Sequence, residues 1–198
     1  MIRLFRYGLL AALLASVAQI APASAQLTTV QPQRRTTYSA TIAALTPAAS
    51  ATDFFTLTGS ATKTIWVHGA GCSGISTAAA QANIAALKRS TANTSGTSTA
   101  PTAVAHDSTS AAATATVAAY TANPTVGTLV GIVRGARFAT DAAATNTTAP
   151  GGVTWRFGDV WTMPIVLRGA AQVFALNGNG ASFASGASLT CWVEWSEG

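Results

Sequence analysis

From Ser188 to Trp195 apolar and polar positions alternate along the chain. Leu189, Cys191, Val193 and Trp195 fall on one side of an extended backbone, and Thr190, Trp192 and Glu194 on the other, because successive strand side chains point to opposite faces. Residues 172–177 follow the same rule. Asn177-Gly178-Asn179-Gly180 supplies a turn between the two runs. They are therefore predicted as strands joined by that turn at the centre of a sheet.

The same reading extends upstream. Residues 53–58 and 63–68 are two strand-like runs separated by Gly59-Ser60-Ala61-Thr62, a hairpin-like unit. Gly69, Gly71 and Gly74 follow around Cys72 and mark a bulge or bend. Alanine abundance in 77–90 favours a helix on propensity, but the β-like neighbours favour a strand over 82–89. Residues 90–101 read as a polar loop, 104–107 as a short extended piece, and 112–120 as a strand anchored by Val117 and Tyr120. One or two strands are expected over 125–138 and a second polar loop over 141–152. Val153-Thr154-Trp155-Arg156-Phe157 alternates cleanly, and residues 163–167 extend again. About eight to ten short strands with regularly spaced turns predict an all-β fold, an antiparallel, jelly-roll-like β-sandwich.

The N-terminus changes the compartment. Arg3 and Arg6 precede an apolar run from Leu9 to Ala21, and Ala23-Ser24-Ala25 has the small residues of a cleavage site. Residues 1–25 are read as a signal peptide, since the run is short of the roughly 20 residues of a membrane span, with a retained N-terminal anchor as the alternative. Residues 26–52 are read as an extended N-terminal arm, with Tyr38 to Leu45 a possible strand that could lie on a neighbour. Residues 53–198 are the β-sandwich domain. The mature chain of 173 residues (198 − 25) is long enough for one ordinary core. It is expected to be secreted or displayed at a cell surface.

Charged residues are 9% of the chain, against about 25% in a typical soluble protein. So few charges leave little self-repulsion, and a surface of Thr, Ser, Ala, Asn and Gly suits close packing against copies or other subunits. Cleavage would leave nine basic and six acidic residues, net +3. The basic residues are dispersed, with no aromatic-interleaved stripe of the kind nucleic acid requires. The partners expected are therefore copies of the chain, other structural subunits, or a glycan or cell surface.

Two cysteines, Cys72 and Cys191, survive cleavage. In an oxidising compartment they are a candidate disulfide tying an early strand to the last one, with two buried free thiols as the alternative. Two cysteines and two histidines without close spacing give no structural zinc site, and no cofactor is expected.

Catalytic constellations are sparse. His106-Asp107-Ser108 has the residue types of a hydrolase triad, but adjacent residues rarely converge, and no Gly-x-Ser-x-Gly elbow accompanies them. The six acids give neither a carboxylate pair for glycoside hydrolysis nor a calcium loop. His68, at a strand end, reads as a packed or edge histidine. Of the five tryptophans, Trp155 and Trp195 share faces with aliphatic residues and belong to a core. Trp161 and Trp192 are the better candidates for an exposed ligand-binding platform.

Several phrases together carry a resemblance. They are Phe54-Phe55-Thr56-Leu57-Thr58-Gly59-Ser60-Ala61-Thr62-Lys63-Thr64, Leu87-Lys88-Arg89-Ser90-Thr91-Ala92-Asn93, Ala105-His106-Asp107-Ser108, Ala119-Tyr120-Thr121-Ala122-Asn123-Pro124 and Val166-Leu167-Arg168-Gly169-Ala170-Ala171-Gln172. The chain from Asp53 to Gly198 resembles small β-sandwich proteins of tailed bacteriophages and prophages, of minor virion or decoration type. The resemblance implies a structural role and brings no catalytic residues. A signal peptide departs from a cytoplasmically assembled virion protein and points either to a host-exported surface protein on the same fold or to a prophage-derived gene recruited for export. The leading expectation is a non-enzymatic, self-associating structural or assembly protein. The alternative is a secreted carbohydrate- or surface-binding module using exposed tryptophans, with an exported hydrolase behind both.

Overall fold

Twelve strands build the described chain in order: β1 (Thr36–Leu45), β2 (Asp53–Thr58), β3 (Thr64–Ser76), β4 (Ala80–Arg89), β5 (Ser98–Thr99), β6 (Val104–Ala105), β7 (Thr116–Tyr120), β8 (Leu129–Ala142), β9 (Gly152–Arg156), β10 (Ile165–Arg168), β11 (Val173–Asn177) and β12 (Ser188–Glu197). This computed structural model describes residues 35–142, 151–159 and 162–198. The signal-peptide assignment, residues 26–34 of the arm, most of the 141–152 loop, and Trp161 lie outside the described residues.

The fold is all-β, mostly antiparallel, and curled into a half-barrel; the described residues contain no helix. One group of strands runs β6-β1-β12-β3, with β9 and β10 both pairing β3. The other runs β5-β7-β2-β11-β4-β8. They join where the end of β8 pairs in parallel with β3, at Ile75↔Asp141 and Ser76↔Ala142.

Alternation predicts the buried faces well. Leu189, Cys191, Val193 and Trp195 of β12 are all buried, while Thr190 is exposed and Trp192 and Glu194 are partly so. Trp195 stacks on Tyr38 of β1 at 5.7 Å between ring centroids. Phe157, just past β9, meets Phe174 of β11 edge-to-face at 5.9 Å, so one core lies between the two strand groups. Burying each large side chain of this kind is worth about 1.5–3 kcal/mol. The strand expected over 82–89 is β4, whose Ala82, Ile84 and Ala86 face this core. Leu87 joins Val173 and Ala175 in a small separate cluster on the other face.

Three expectations need correction. The runs 53–58 and 63–68 do not form a hairpin: β2 pairs β7 and β11, whereas β3 pairs β12, β9, β10 and β8. Likewise β11 and β12 are joined through the 178–187 segment but not paired; β11 lies between β2 and β4, and β12 between β1 and β3. In both cases the chain crosses between groups, because each strand needs the core on its apolar side. Finally, Thr36–Leu45 lies on β12 of its own chain, in register from Thr36↔Glu197 to Ile42↔Cys191. Its Tyr38, Ala40 and Leu45 are core residues, which leaves that stretch of the arm no freedom to reach a neighbour.

The glycines of β3 do accompany a bulge. The register passes from Trp195↔Val67 to Glu194↔Gly69, so His68 is the extra residue. Of the 125–138 stretch, Leu129 onward forms one long strand, β8, that runs on to Ala142, and Thr125 makes only an isolated bridge with Thr94.

Candidate functional site

The outer, coreless face of the β1-β12-β3-β9 sheet gathers the chain's unusual polar and aromatic side chains. Register places them. Thr41 lies opposite Trp192 and Ser39 opposite Glu194 on one side; Gly71 lies opposite Trp192 and Gly69 opposite Glu194 on the other. Next to the glycines come Thr154 and Arg156 of β9. Paired residues share a face, so all of these side chains stand on the outside.

The two glycines form the floor. A Cβ on Gly71 would stand 2.8 Å from Trp192 Nε1 and 3.0 Å from its Cε2, and one on Gly69 would stand 3.2 Å from two carbons of the same indole. Trp192 therefore lies over bare backbone. Glycine within a strand costs about 0.5–1 kcal/mol relative to alanine, so the chain tolerates two such losses in a row of alternate positions beneath this ring.

Arg156 stands over the Trp192 ring, its Cζ 5.3 Å from the centroid. Its Nη1 donates to Glu194 Oε2 at 3.3 Å. The arginine side chain is 61% exposed, so water screens this pair and it adds little stability. Four residues along β12, Ser196 pairs with Trp66, whose ring carries the Arg35 guanidinium at 3.8 Å. His68 Nε2 and Ser196 Oγ are 2.8 Å apart. Partial burial lowers the His68 pKa, Glu194 opposes that shift, and Arg35 adds to it. The imidazole is accordingly held toward its neutral form.

The sequence candidates distribute as follows. Trp192 is on this face and half-buried; Trp195 is in the core and Trp155 packs against it. Cys72 and Cys191 are cross-strand partners beneath the same sheet, at disulfide-bonding distance with Cα atoms 4.2 Å apart. His106, Asp107 and Ser108 do not assemble. The His106 amide donates to Thr37 O, and Asp107 Oδ1 accepts from the Thr109 amide and hydroxyl, a local turn. Among the described residues no group of three His, Cys, Asp or Glu side chains converges as metal ligands.

Sequence reasoning put Glu194 on the side of Trp192 but missed Arg35, Trp66 and Arg156 as members of the same face. The available signal was Gly69 and Gly71, two positions apart in a strand, which clears a lane on one side of the sheet. Comparison with protein-family models, curated proteins and solved structures finds no match for this chain.

Proposed function

We propose that this chain is a non-enzymatic structural or assembly module, a jelly-roll-like β-sandwich, exported or virion-borne, that associates with copies of itself. The observation that carries this reading is the outer edge of β8. From Leu129 to Thr140 β8 pairs with β4 on one side. Among the described residues its other side pairs with a strand only at Asp141 and Ala142. Leu129, Val130 and Ile132 on this edge are 51%, 61% and 56% exposed.

An unpaired edge presents a row of amides and carbonyls to any passing strand, and apolar side chains beside it strengthen the pairing. Two features make this edge selective. Val130 and Val133 are extra residues in the pairing with β4, so the strand is bulged twice, and Arg134 stands beside the second bulge. A straight foreign strand does not match such a kink. A second copy of β8, running antiparallel about a two-fold axis, brings the same kink to both sides. The 9% charge content of the whole chain offers little repulsion to such contacts.

Light scattering on the mature protein tests this. A discrete multimer or polymer that persists at high salt is expected, with Val130→Lys/Ile132→Lys returning it to monomer. A wild-type protein that stays monomeric at high concentration refutes the reading.

A further inference from the structure

We propose that the outer face around Trp192 binds a neutral carbohydrate. A pyranose ring packs against the exposed part of the half-buried indole beside Arg156, and Arg156, Glu194 and the neighbouring threonine hydroxyls bond its hydroxyl groups. This site is separate from the β8 edge and does not rest on the assembly reading.

Three observations converge on that ligand. The first is the plate itself: an outward-facing indole laid over Gly69 and Gly71, on a side of the sheet where it adds nothing to the core. Aromatic faces are large, rigid contact surfaces that bind C–H groups at small entropic cost. The second is the surrounding chemistry. Ser39, Thr41, Thr154 and Thr190 share the face by register. Among the described residues their hydroxyls make no side-chain hydrogen bond within the chain. Each hydroxyl can both donate and accept, as a sugar hydroxyl does. The third is charge. Arg156 and Glu194 beside the ring offset one another, which matches an uncharged, hydroxyl-rich ligand better than a polyanion.

A protein partner fits less well. Strands β12, β3 and β9 carry none of the exposed large aliphatic side chains; three sit on β8, and Val104 of β6, opposite Ser39, lies at the rim of this face. Apolar anchors are what the centre of a protein interface uses. Trp66 lies four β12 positions from Trp192, about 13 Å at the rise of a strand. An extended polysaccharide could therefore reach from Trp192 to the Arg35 guanidinium stacked on Trp66.

The test is retention of the full mature chain on insoluble cellulose and chitin, and in affinity gels of dextran or mixed-linkage β-glucan. Alginate and heparin serve as anionic counterparts. At least one neutral polymer is expected to retain the protein, with little dependence on salt. Trp192→Ala should weaken retention by roughly tenfold or more. Glu194→Gln, which leaves the indole in place, should weaken it to a smaller extent. Ile132→Lys, on β8, should leave it unchanged, which separates this site from self-association. Melting curves of each variant establish that it is folded. The proposal is overturned if no neutral polymer retains the wild type or if only the anionic polymers do so. It is equally overturned if folded Trp192→Ala and Glu194→Gln bind as the wild type does.

Discussion

Asp53 and Arg89, 36 residues apart in sequence, meet as a buried bidentate pair: Asp53 Oδ2 accepts from Arg89 Nε at 2.5 Å and Oδ1 from Nη2 at 2.7 Å. Asn93 and Asn177 donate to the remaining lone pairs at 2.8 and 2.7 Å, and Arg89 Nη1 donates to Gly127 O. The carboxylate has no solvent exposure and is fully satisfied. It fastens β2, β4 and β11 to the loop carrying Asn93 and to the segment entering β8.

Removing one partner leaves the other charged in the interior, a loss of about 3–5 kcal/mol. Asp53→Asn and Arg89→Met should each lower stability by that order in chemical denaturation. The double variant should lose less than the sum of the two, since neither change then strands a charge. Additive losses would mean that the two side chains are not coupled.

Cys72 and Cys191 enclose a sequence separation of 119 residues. Cross-linking over such a distance restricts the unfolded chain and typically adds about 2–4 kcal/mol. Cys72→Ala/Cys191→Ala should therefore unfold at lower denaturant than the oxidised wild type by that margin. Reducing agent should shift the wild type toward the variant and leave the variant itself unmoved.

What could be read beforehand follows from what alternation encodes. It reports which side of a strand is buried, and so Leu189, Cys191, Val193 and Trp195, and the β character of residues 82–89, were legible. It does not report which strand lies alongside. Gly59 to Thr62 and Asn177 to Gly180 mark where the chain turns, but both turns lead across to the other strand group. The Trp192 face was half legible for the same reason. Trp192 stood on the polar side of its strand, whereas Arg35, Trp66 and Arg156 come from distant positions and meet it only through register. The Asp53–Arg89 pair left no signal, because each residue looks like the polar end of an apolar run.

The glycine floor beneath Trp192 has its own test. A Cβ at Gly71 would stand 2.6 Å from Val153 O as well as 2.8 Å from the indole, so the backbone of β9 and the ring must both move. Gly71→Ala should cost about 1–3 kcal/mol, the range for overpacking, and should raise the solvent accessibility of Trp192 in fluorescence quenching. Gly131→Ala is the control, since nothing lies within 4 Å of a Cβ there; it should leave Trp192 quenching unchanged and cost no stability, alanine being about 0.5–1 kcal/mol better than glycine within a strand.

Glu197 gives the fold an acid limit. Burial alone would raise its pKa. The amides of Ala115 and Thr114, the Thr114 hydroxyl and the Trp195 indole N–H all donate to the carboxylate and together lower it below its ordinary 4.5. Because the folded value is the depressed one, the stabilisation is fully present above the unfolded pKa. It is lost as pH falls from about 4.5 through the folded value. His68, whose folded pKa is also lowered, adds a loss that begins higher, as pH drops below its ordinary 6.5. Denaturation midpoints should therefore hold steady above neutrality, fall slightly below pH 6.5, and fall more steeply below pH 4.5. Glu197→Gln should be less stable than wild type at pH 7, by about 1.5–3 kcal/mol for a charged hydrogen-bonded group. It should also show a flatter profile between pH 4.5 and 3, while retaining the shallow step from His68. An unchanged acid limb in Glu197→Gln would show that other carboxylates set it.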